Sequence, residues 1–242
     1  MQEIDFEGAR YVGGTLNSLP HGWGRLQGED GAYFEGYWKR GAKTGRGRFV
    51  DEQKNVQEGV WRANKANGFL KMRLMSGRTF QGIVRDDRAN GIGRERLEDG
   101  SEYIGQYIEG RKMGTGTIRW PDGCIYNGEV ADGNRHGIGV MRWPDGRVYN
   151  GEWQDDEIYG QGRMEYTDGK VYAGDFEAGE PHGNGEEVHL GNRLQGEFRN
   201  GKCNGAGRMV LKSGRVHFGE WKDGILVRWT KDAPPNSGSS QG

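Results

Sequence analysis

The sequence predicts an all-β protein, an elongated single-layer twisted sheet in which consecutive β-hairpins follow one another as an antiparallel meander. Three observations predict this fold. A pattern of 23 residues recurs along almost the whole chain. Each copy opens with aromatic residues and glycines at the two-residue spacing of a strand. Glycine makes up 46 of the 242 residues, and each glycine destabilises a helix interior by about 1 kcal/mol.

The first element of each copy is a strand that begins at an aromatic-x-Gly triplet. We number its aromatic residue position 1, and a second bulky residue follows at position 5, as in Tyr149 and Trp153. Such triplets begin at Tyr11, Phe34, Phe80, Tyr103, Tyr126, Tyr149 and Tyr172, and degenerate copies begin at Gln57, Leu194 and His217. Side chains alternate along a strand, so positions 1 and 5 share a face. The sequence therefore predicts nine full units and a partial tenth.

The second element is a strand over positions 13 to 18. Position 12 is glycine in every full unit, and position 14 is glycine except in the third unit, where Leu70 stands. We expect the glycines at positions 3 and 14 to let the rings lie flat over the backbone. A left-handed residue is expected in the loop near positions 7 to 11, and the Asp-Gly that closes most units predicts a type I′ turn between units. We expect position 4 to pair across the hairpin with position 15, and position 2 with position 17.

Composition excludes several classes of protein. The net charge of -1 and the pI near 6.5 argue against a general electrostatic grip on nucleic acid, so we expect no nucleic-acid partner. No apolar run approaches the length of a transmembrane helix, and the first residues lack the pattern of a signal peptide. Two cysteines do not make a disulfide framework. These features predict a cytoplasmic protein of a reducing compartment.

The repeat carries a family resemblance. The unit Tyr149-x-Gly-x-Trp153, followed by Gly160-x-Gly162 and Asp168-Gly169, resembles the MORN (membrane occupation and recognition nexus) repeat, and the resemblance covers residues 11–224. It implies a twisted β-ribbon that serves as an interaction or scaffolding module, often in cytoskeletal, ciliary or axonemal, or membrane-contact settings. It also implies that acidic phospholipids are one proposed ligand class. Some members of the family carry a catalytic domain beyond their repeats.

The sequence predicts four segments. Residues 1–10 are an N-terminal half-repeat or cap, 11–224 the repeat ribbon, 225–232 a C-terminal capping or dimer-edge strand, and 233–242 a disordered tail rich in Pro, Ser and Gly. Two units depart from the pattern, at residues 50–75 and 186–194, where we expect the curvature to change. Drift in a tolerant repeat is the alternative explanation for both.

No group of residues predicts catalysis. His21, His136 and His182 all occupy position 11, and the nearest two lie two units apart, roughly 19 Å in such a sheet. Cys124 and Cys203 are four units apart, too far for a disulfide. We therefore expect no catalytic residue, metal site or cofactor.

The first candidate surface is the aromatic face, where a helix or an extended peptide of a protein partner could bind. The alternative is that the rings only cover one another and the glycine backbone. The candidate residues are Trp38, Trp61, Tyr103, Tyr107, Trp120, Tyr126, Trp143, Tyr149, Trp153, Tyr166, Tyr172 and Phe176.

The second candidate surface is a basic stripe on the opposite face, suited to anionic phospholipid headgroups or to an acidic protein. The alternative is a solvated face that keeps the sheet soluble. The candidate residues are Arg25, Arg48, Lys71, Arg73, Arg94, Arg96, Arg119 and Arg142.

The last strand offers a third surface. Ile225, Val227 and Trp229 lie in a glycine-free β-forming run that predicts either a cap or the edge of an end-to-end homodimer. Taken together, the sequence predicts a non-catalytic scaffold that binds a protein segment on its aromatic face. A peripheral membrane module acting through the basic stripe is the first alternative, and a regulatory subunit of an enzyme is the second.

Overall fold

The computed structural model describes residues 1–230, which form 21 β-strands and no helix. The chain divides into two compact units, unit 1 at residues 1–121 and unit 2 at residues 122–242. The all-β prediction is confirmed for the described residues. The predicted disordered tail, 233–242, lies outside them.

Unit 1 contains eleven strands, and residues 122–230 of unit 2 contain ten. The strands of unit 1 are β1 (Gln2–Phe6), β2 (Ala9–Leu16), β3 (Leu19–Gln27), β4 (Tyr33–Lys39), β5 (Ala42–Val50), β6 (Val56–Arg62), β7 (Lys65–Arg73), β8 (Thr79–Arg85), β9 (Arg88–Arg96), β10 (Glu102–Ile108) and β11 (Arg111–Arg119). Those of unit 2 are β12 (Ile125–Ala131), β13 (Asn134–Arg142), β14 (Val148–Gln154), β15 (Glu157–Glu165), β16 (Val171–Glu177), β17 (Glu180–His189), β18 (Asn192–Arg199), β19 (Lys202–Val210), β20 (Val216–Lys222) and β21 (Ile225–Thr230).

Within each unit, every strand pairs antiparallel with the strand that follows it in sequence. The repeating element is a hairpin of one shorter and one longer strand, such as β14 with β15. β1 lies in the predicted N-terminal segment and pairs with β2, with Ile4 opposite Tyr11. The predicted meander of hairpins is therefore the observed topology of each unit.

The turn inside each hairpin is tighter than predicted. Only two residues separate β14 from β15, and both have positive φ, 48° at Asp155 and 72° at Asp156. This is the geometry of a type I′ turn, whose twist matches that of the flanking strands. The second strand consequently begins at position 9, and the expected start at position 13 is wrong.

The Asp-Gly loops that join one hairpin to the next are not the predicted type I′ turns. In the loop after β13, only Gly146 has a positive φ, 98°, and its amide donates to the Trp143 carbonyl at 3.0 Å. The Trp143 amide in turn donates to the Arg147 carbonyl at 3.0 Å. Three-residue loops of this kind combine a type I turn with a left-handed glycine. Pro144 fits here because proline presets the φ of the first turn position.

The predicted register across the hairpin is wrong by two residues. In the β14–β15 pair, Asn150 lies opposite Arg163 and Gly151 opposite Gly162, so position 2 pairs with position 15. A bulge follows, because Trp153 pairs with Ile158 and leaves three residues of β15 opposite one residue of β14. The two-residue turn fixes the pairing beside it, and the bulge then shifts the register further along. Position 4 consequently lies opposite the bulge and not opposite a basic residue.

The position-1 rings lie over glycine backbone, as predicted. A Cβ atom added to Gly162 would lie 2.4 Å from the Tyr149 hydroxyl oxygen, and one added to Gly151 would lie equally close. The Tyr149 hydroxyl donates to the Glu152 carbonyl at 2.9 Å, which fixes the ring across both strands. Positions 3 and 14 are glycine because the ring occupies the space that a side chain would need.

The third hairpin shows the converse arrangement. Gln57 stands at position 1 in place of a ring, and position 14 is Leu70, which is buried. Gln57 pairs with Met72, and Leu70 lies opposite Gly59, in the same register as in the other hairpins. A leucine is accommodated at position 14 because no ring covers it.

One buried carboxylate interrupts the apolar positions of unit 1. Glu95 takes position 16 of its hairpin and is buried. Its carboxylate contacts Lys112 Nζ at 2.9 Å and accepts from Arg78 Nε at 2.7 Å. The Tyr107 hydroxyl donates to it at 3.3 Å. Burial raises the pKa of Glu95, but hydrogen bonds and charges from Lys112 and Arg78 outweigh burial and hold that pKa below its usual 4.5.

Candidate binding surfaces

The face that carries the position-1 and position-5 rings is mostly core, and we call it the ring face. Nine of the twelve predicted aromatic contacts are buried. They are Trp38, Trp61, Tyr103, Tyr107, Tyr126, Tyr149, Trp153, Tyr172 and Phe176. These side chains present little surface to a partner while the sheet is folded.

Edge-to-face contacts between successive rings explain this burial. Trp153 packs edge-on against Tyr126 and Tyr149, with ring centroids 5.4 Å apart in both pairs. Phe176 repeats the arrangement against Tyr149 and Tyr172, at 5.1 Å in both pairs. The Trp153 indole Nε1 donates to the Gly139 carbonyl at 3.2 Å. Such contacts contribute about 0.5–1.5 kcal/mol per pair beyond area burial, so the rings supply the cohesion of a sheet that has a single layer.

The other three predicted aromatic residues, Trp120, Trp143 and Tyr166, are half-buried and lie at position 18, where the hairpins are joined. The Arg147 guanidinium lies 5.0 Å from the Trp143 ring centre, and Lys170 Nζ lies 4.5 Å from that of Tyr166. Trp143 and Trp153 line a cavity of about 270 Å³ together with Arg135 and Ile158. This small cavity on the ring face of unit 2 is open to solvent.

All eight predicted basic residues are exposed on the opposite face, which we call the open face. The corrected register gives some of them acidic neighbours. Arg48 Nε lies 3.4 Å from the Glu58 carboxylate, and Arg94 Nε lies 2.6 Å from that of Glu102. The Arg25 guanidinium stacks on Tyr33, 3.9 Å from the ring centre. Arg142 belongs to unit 2 and the other seven to unit 1.

The predicted edge residues Ile225, Val227 and Trp229 are exposed on β21, which pairs with β20. Trp229 also contacts Trp221, with ring centroids 6.0 Å apart. An ion pair at 2.8 Å joins Arg228 of β21 to Glu220 of β20. β21 is thus held to unit 2 by side chains as well as by backbone pairing.

Within residues 1–230, no group of three or more His, Cys, Asp or Glu side chains could hold a metal ion. Cys124 and Cys203 are buried free thiols, and burial raises the pKa of Cys203 to about 11. A thiol with a raised pKa is a poor nucleophile at neutral pH.

The open face of unit 1 carries a feature that sequence reasoning missed, an exposed row of apolar side chains on strands β3, β4 and β6 to β9, interrupted on β5 by Arg46, which lies opposite Val60. Its members, which we call the apolar row, are Trp23, Tyr37, Val60, Phe69, Ile83 and Ile92, between 39% and 60% exposed. Trp23 lies directly opposite Tyr37, and Phe69 directly opposite Ile83. Part of the row lines a cavity of about 660 Å³ together with Arg46, Arg48 and Lys71.

At position 4, where unit 1 places apolar residues of the row, unit 2 places carboxylates. Glu129, Glu152 and Asp175 each accept a hydrogen bond from the amide of position 13 in the bulge, at 3.0, 3.1 and 2.8 Å. The residues at position 4 of β4, β6 and β8 are Tyr37, Val60 and Ile83, which have no acceptor for that amide except the Tyr37 hydroxyl. A Cβ atom added to the position-12 glycine beside each of them would lie 3.4 to 3.6 Å from the Cβ atom of the position-4 side chain. Comparing positions 4 and 13 between the two halves of the sequence could have revealed this difference.

A sheet assembled from one recurring hairpin defines a repeat protein, in which each element contacts mainly its neighbours. A family model of the MORN repeat matches residues 34–55, 80–102, 103–125, 126–146, 149–171, 172–188 and 195–214. These segments make up more than half of the chain, which therefore belongs to the MORN repeat family. The seven matches confirm the resemblance, while the predicted count of nine units and a partial tenth stays a prediction.

Likeness to other known proteins is weaker. No curated protein sequence matches the chain significantly. A G-box domain of the microcephaly protein CPAP matches with a TM-score of 0.40 and 14% identity, over 87% of this chain and 100% of that chain. The TCP10 domain of Danio rerio CPAP, in complex with a STIL peptide, matches with a TM-score of 0.30 and 14% identity, over 92% and 99%. The SAS-4 TCP domain of Drosophila melanogaster, with a proline-rich motif of Ana2, matches with a TM-score of 0.30 and 11% identity, over 87% and 96%. At these TM-scores the likeness carries no inference about function.

Among residues 1–230 no helix is long and apolar enough to cross a membrane.

Proposed function

We propose that this chain is a non-catalytic MORN repeat scaffold that holds a segment of a protein partner against the open face of unit 1. The observation that carries the proposal is the apolar row, which exposes Trp23, Tyr37 and Phe69 side by side with three aliphatic residues. Aromatic side chains, Trp and Tyr above all, are enriched among the anchors of protein interfaces. A large cluster of exposed apolar side chains often marks an interaction site.

The comparison with unit 2 supports a binding role for the row. A carboxylate at position 4 caps the bulge amide, and at these exposed sites such a hydrogen bond contributes on the order of 1 kcal/mol. Val60 and Ile83 give up that bond and leave apolar surface in water. Both changes work against the stability of the free chain, so binding explains these residues better than folding does.

The ring face is the weaker candidate surface because its rings are committed to one another. The part of it that a partner could reach is the cavity beside Trp143 and Trp153. An anionic membrane is the other alternative. Its support is the set of exposed basic residues, two of which, Arg48 and Arg94, already contact carboxylates.

A triple variant tests the proposal without disturbing the fold. The changes Tyr37→Glu, Val60→Glu and Ile83→Glu introduce at position 4 the residue type that caps the bulge in unit 2. We expect the variant to fold with unchanged or higher stability and to lose the proteins that the wild-type chain retains from an extract of its native cell, as measured by quantitative mass spectrometry. The control is Ile138→Gln with Tyr159→Gln, which removes exposed apolar residues of unit 2.

Two results would overturn the proposal. The first is retention of the same proteins by the triple variant and the wild type. The second is equal loss in the control variant, because the effect would then come from general surface hydrophobicity. Flotation with anionic vesicles distinguishes the membrane alternative, which requires binding that Arg94→Glu, Arg96→Glu and Arg119→Glu together abolish.

A further inference from the structure

We propose that the segment bound by the apolar row is an acidic amphipathic helix of about 20 residues, whose apolar stripe contacts the row and whose carboxylates contact the basic residues on either side. This inference rests on the proposed function and specifies the chemistry of the partner. Charge, geometry and local register each support it.

The charge of the open face is the first argument. Strands β3 to β9 contain thirteen Lys and Arg residues against three acids, and Lys43 and Glu95 lie on the ring face. Twelve basic residues and two acids, Glu35 and Glu58, are therefore left for the open face. Strands β14 to β17 of unit 2 have the opposite balance, eight acids against Arg163 alone. Because one fold carries both patterns, the basic character of β3 to β9 is not a requirement of the repeat.

The direction of the row is the second argument. It spans seven paired strands, of which β5 contributes Arg46 in place of an apolar residue, so its length is on the order of 29 Å at about 4.8 Å per strand. An α-helix of about 20 residues has this length. Strands β4 to β8 are paired on both sides, so a partner cannot join this part of the sheet as an added strand. It has to bind through side chains, and a single apolar stripe on a helix matches a single apolar row.

The basic residues flank the row on both sides. On the side of the hairpin turns lie positions 6 and 9, where Arg62 is directly opposite Lys65 and Arg85 directly opposite Arg88. On the other side lies position 15, with Arg48, Lys71 and Arg94, of which Arg48 and Arg94 also contact Glu58 and Glu102 within the chain. Like charges directly opposite each other destabilise a sheet. Carboxylates along the turn-side flank of a bound helix would relieve this repulsion, which Glu109 offsets in part by its contact with Arg88 at 3.3 Å.

A synthetic peptide tests the inference directly on the full chain. The probe is a fluorescein-labelled 20-residue helix with Leu and Ile along one stripe and Glu on both flanks, and its charge-reversed partner has Lys in place of Glu. Fluorescence anisotropy should show binding of the Glu peptide, weaker by about tenfold or more for the Lys peptide, and a loss of affinity as salt rises. Equal binding of both peptides, or none by the Glu peptide, would overturn the inference.

Matched variants locate the site. Arg62→Glu with Arg85→Glu should weaken the Glu peptide by about tenfold while removing two like-charge pairs. Arg199→Glu is the control, because Arg199 lies in unit 2 at position 6 of its own 23-residue repeat and faces Lys202 in the same way. An equal effect of both variants would place the binding elsewhere and contradict the inference. The triple variant at Tyr37, Val60 and Ile83 should also lose the peptide.

The outcomes separate this inference from the proposed function. If the triple variant loses its cellular partners but the wild type does not prefer the Glu peptide, the open face binds proteins of another chemistry and only this inference fails. If the triple variant keeps its cellular partners, the proposed function fails. Binding of vesicles of phosphatidylserine and phosphatidylcholine, with no binding of the Glu peptide, would assign the face to a membrane and overturn the inference.

Discussion

At the scale of single residues, the stability of this sheet depends on rings and glycines that share one space. Tyr149 covers Gly151 and Gly162, and its hydroxyl reaches the Glu152 carbonyl. The sequence was sufficient to predict that ring and glycine belong together, because both recur at fixed positions. It was not sufficient to predict that the rings would be buried by one another, since that depends on edge-to-face contacts between neighbouring hairpins.

A glycine substitution tests the shared space. Gly162→Ala should destabilise unit 2 by about 1–3 kcal/mol, because the new methyl group would overlap the Tyr149 ring. Gly146→Ala is the control, since Gly146 has open space around it and only its φ of 98° opposes a side chain, at about 1 kcal/mol. Urea unfolding measures both. Equal effects of the two substitutions would contradict the overlap.

The buried carboxylate makes stability depend on pH. The pKa of Glu95 is lowered in the folded chain, so its contribution is present above the unfolded pKa of about 4.5 and is lost as the pH falls through the folded value. Glu95→Gln should therefore reduce the free energy of unfolding at pH 7 by about 1–3 kcal/mol. The difference in unfolding free energy between this variant and the wild type should shrink as the pH is lowered from about 5 to about 3, the range in which carboxyl groups take up protons. A difference that stays constant over this range would count against the network with Lys112 and Arg78.

At the scale of the hairpin, turn geometry decides which side chains meet. The sequence pattern predicted two strands per 23-residue repeat correctly, but it placed the type I′ turn between repeats instead of inside each hairpin. Asp-Gly is compatible with both turn types, so the dipeptide alone could not distinguish them. The bulge after position 3 was also missed, since its glycine at position 12 resembles any other loop glycine. Without the bulge, the acids at position 4 are wrongly assigned as partners of position 15.

The irregular unit at residues 186–194 has a simple structural cause. Its joining loop has two residues, Leu190 and Gly191, both with positive φ, at 51° and 80°. For this reason the distance in sequence from Tyr172 to Leu194, the start of the next repeat, is one residue shorter than in the other repeats. A leucine in the left-handed region is strained, and its side chain is exposed.

This strain predicts a stabilising substitution. Leu190→Asn should raise the free energy of unfolding by about 0.5–1 kcal/mol, because asparagine tolerates the left-handed region and no buried contact is lost. Val216→Asn is the control, since Val216 is exposed in a strand with ordinary φ. Urea unfolding of both variants checks the prediction. A loss of stability in Leu190→Asn would contradict the turn assignment.

At the scale of the whole molecule, the two faces of the sheet have different roles. The ring face supplies cohesion, and the open face is free to vary between units. Residues 1–121 carry 20 Lys and Arg against 16 Asp and Glu, whereas residues 122–242 carry 14 against 19. The overall charge of -1 conceals this difference. The sequence contains the information, but the open face could be read only after the register and the bulge were known.

Local cohesion also predicts local unfolding. Because each strand contacts mainly its neighbours, the loss of local stability caused by Gly162→Ala should be confined to strands β14 to β17. Hydrogen exchange followed by mass spectrometry should show faster exchange in those strands and unchanged protection in β3 to β9. Uniform loss of protection across residues 1–230 would mean that the chain unfolds as one cooperative body.

We propose that the open face of unit 1, and not the ring face, holds a protein partner. Site-specific photo-crosslinking tests it most directly, with a photoreactive phenylalanine analogue at Phe69 in one variant and at Trp143 in another, each expressed in the native cell. We predict that the Phe69 position crosslinks to a protein partner and that the Trp143 position gives far less of the same product. Crosslinking from Trp143 alone, with none from Phe69, would contradict the claim.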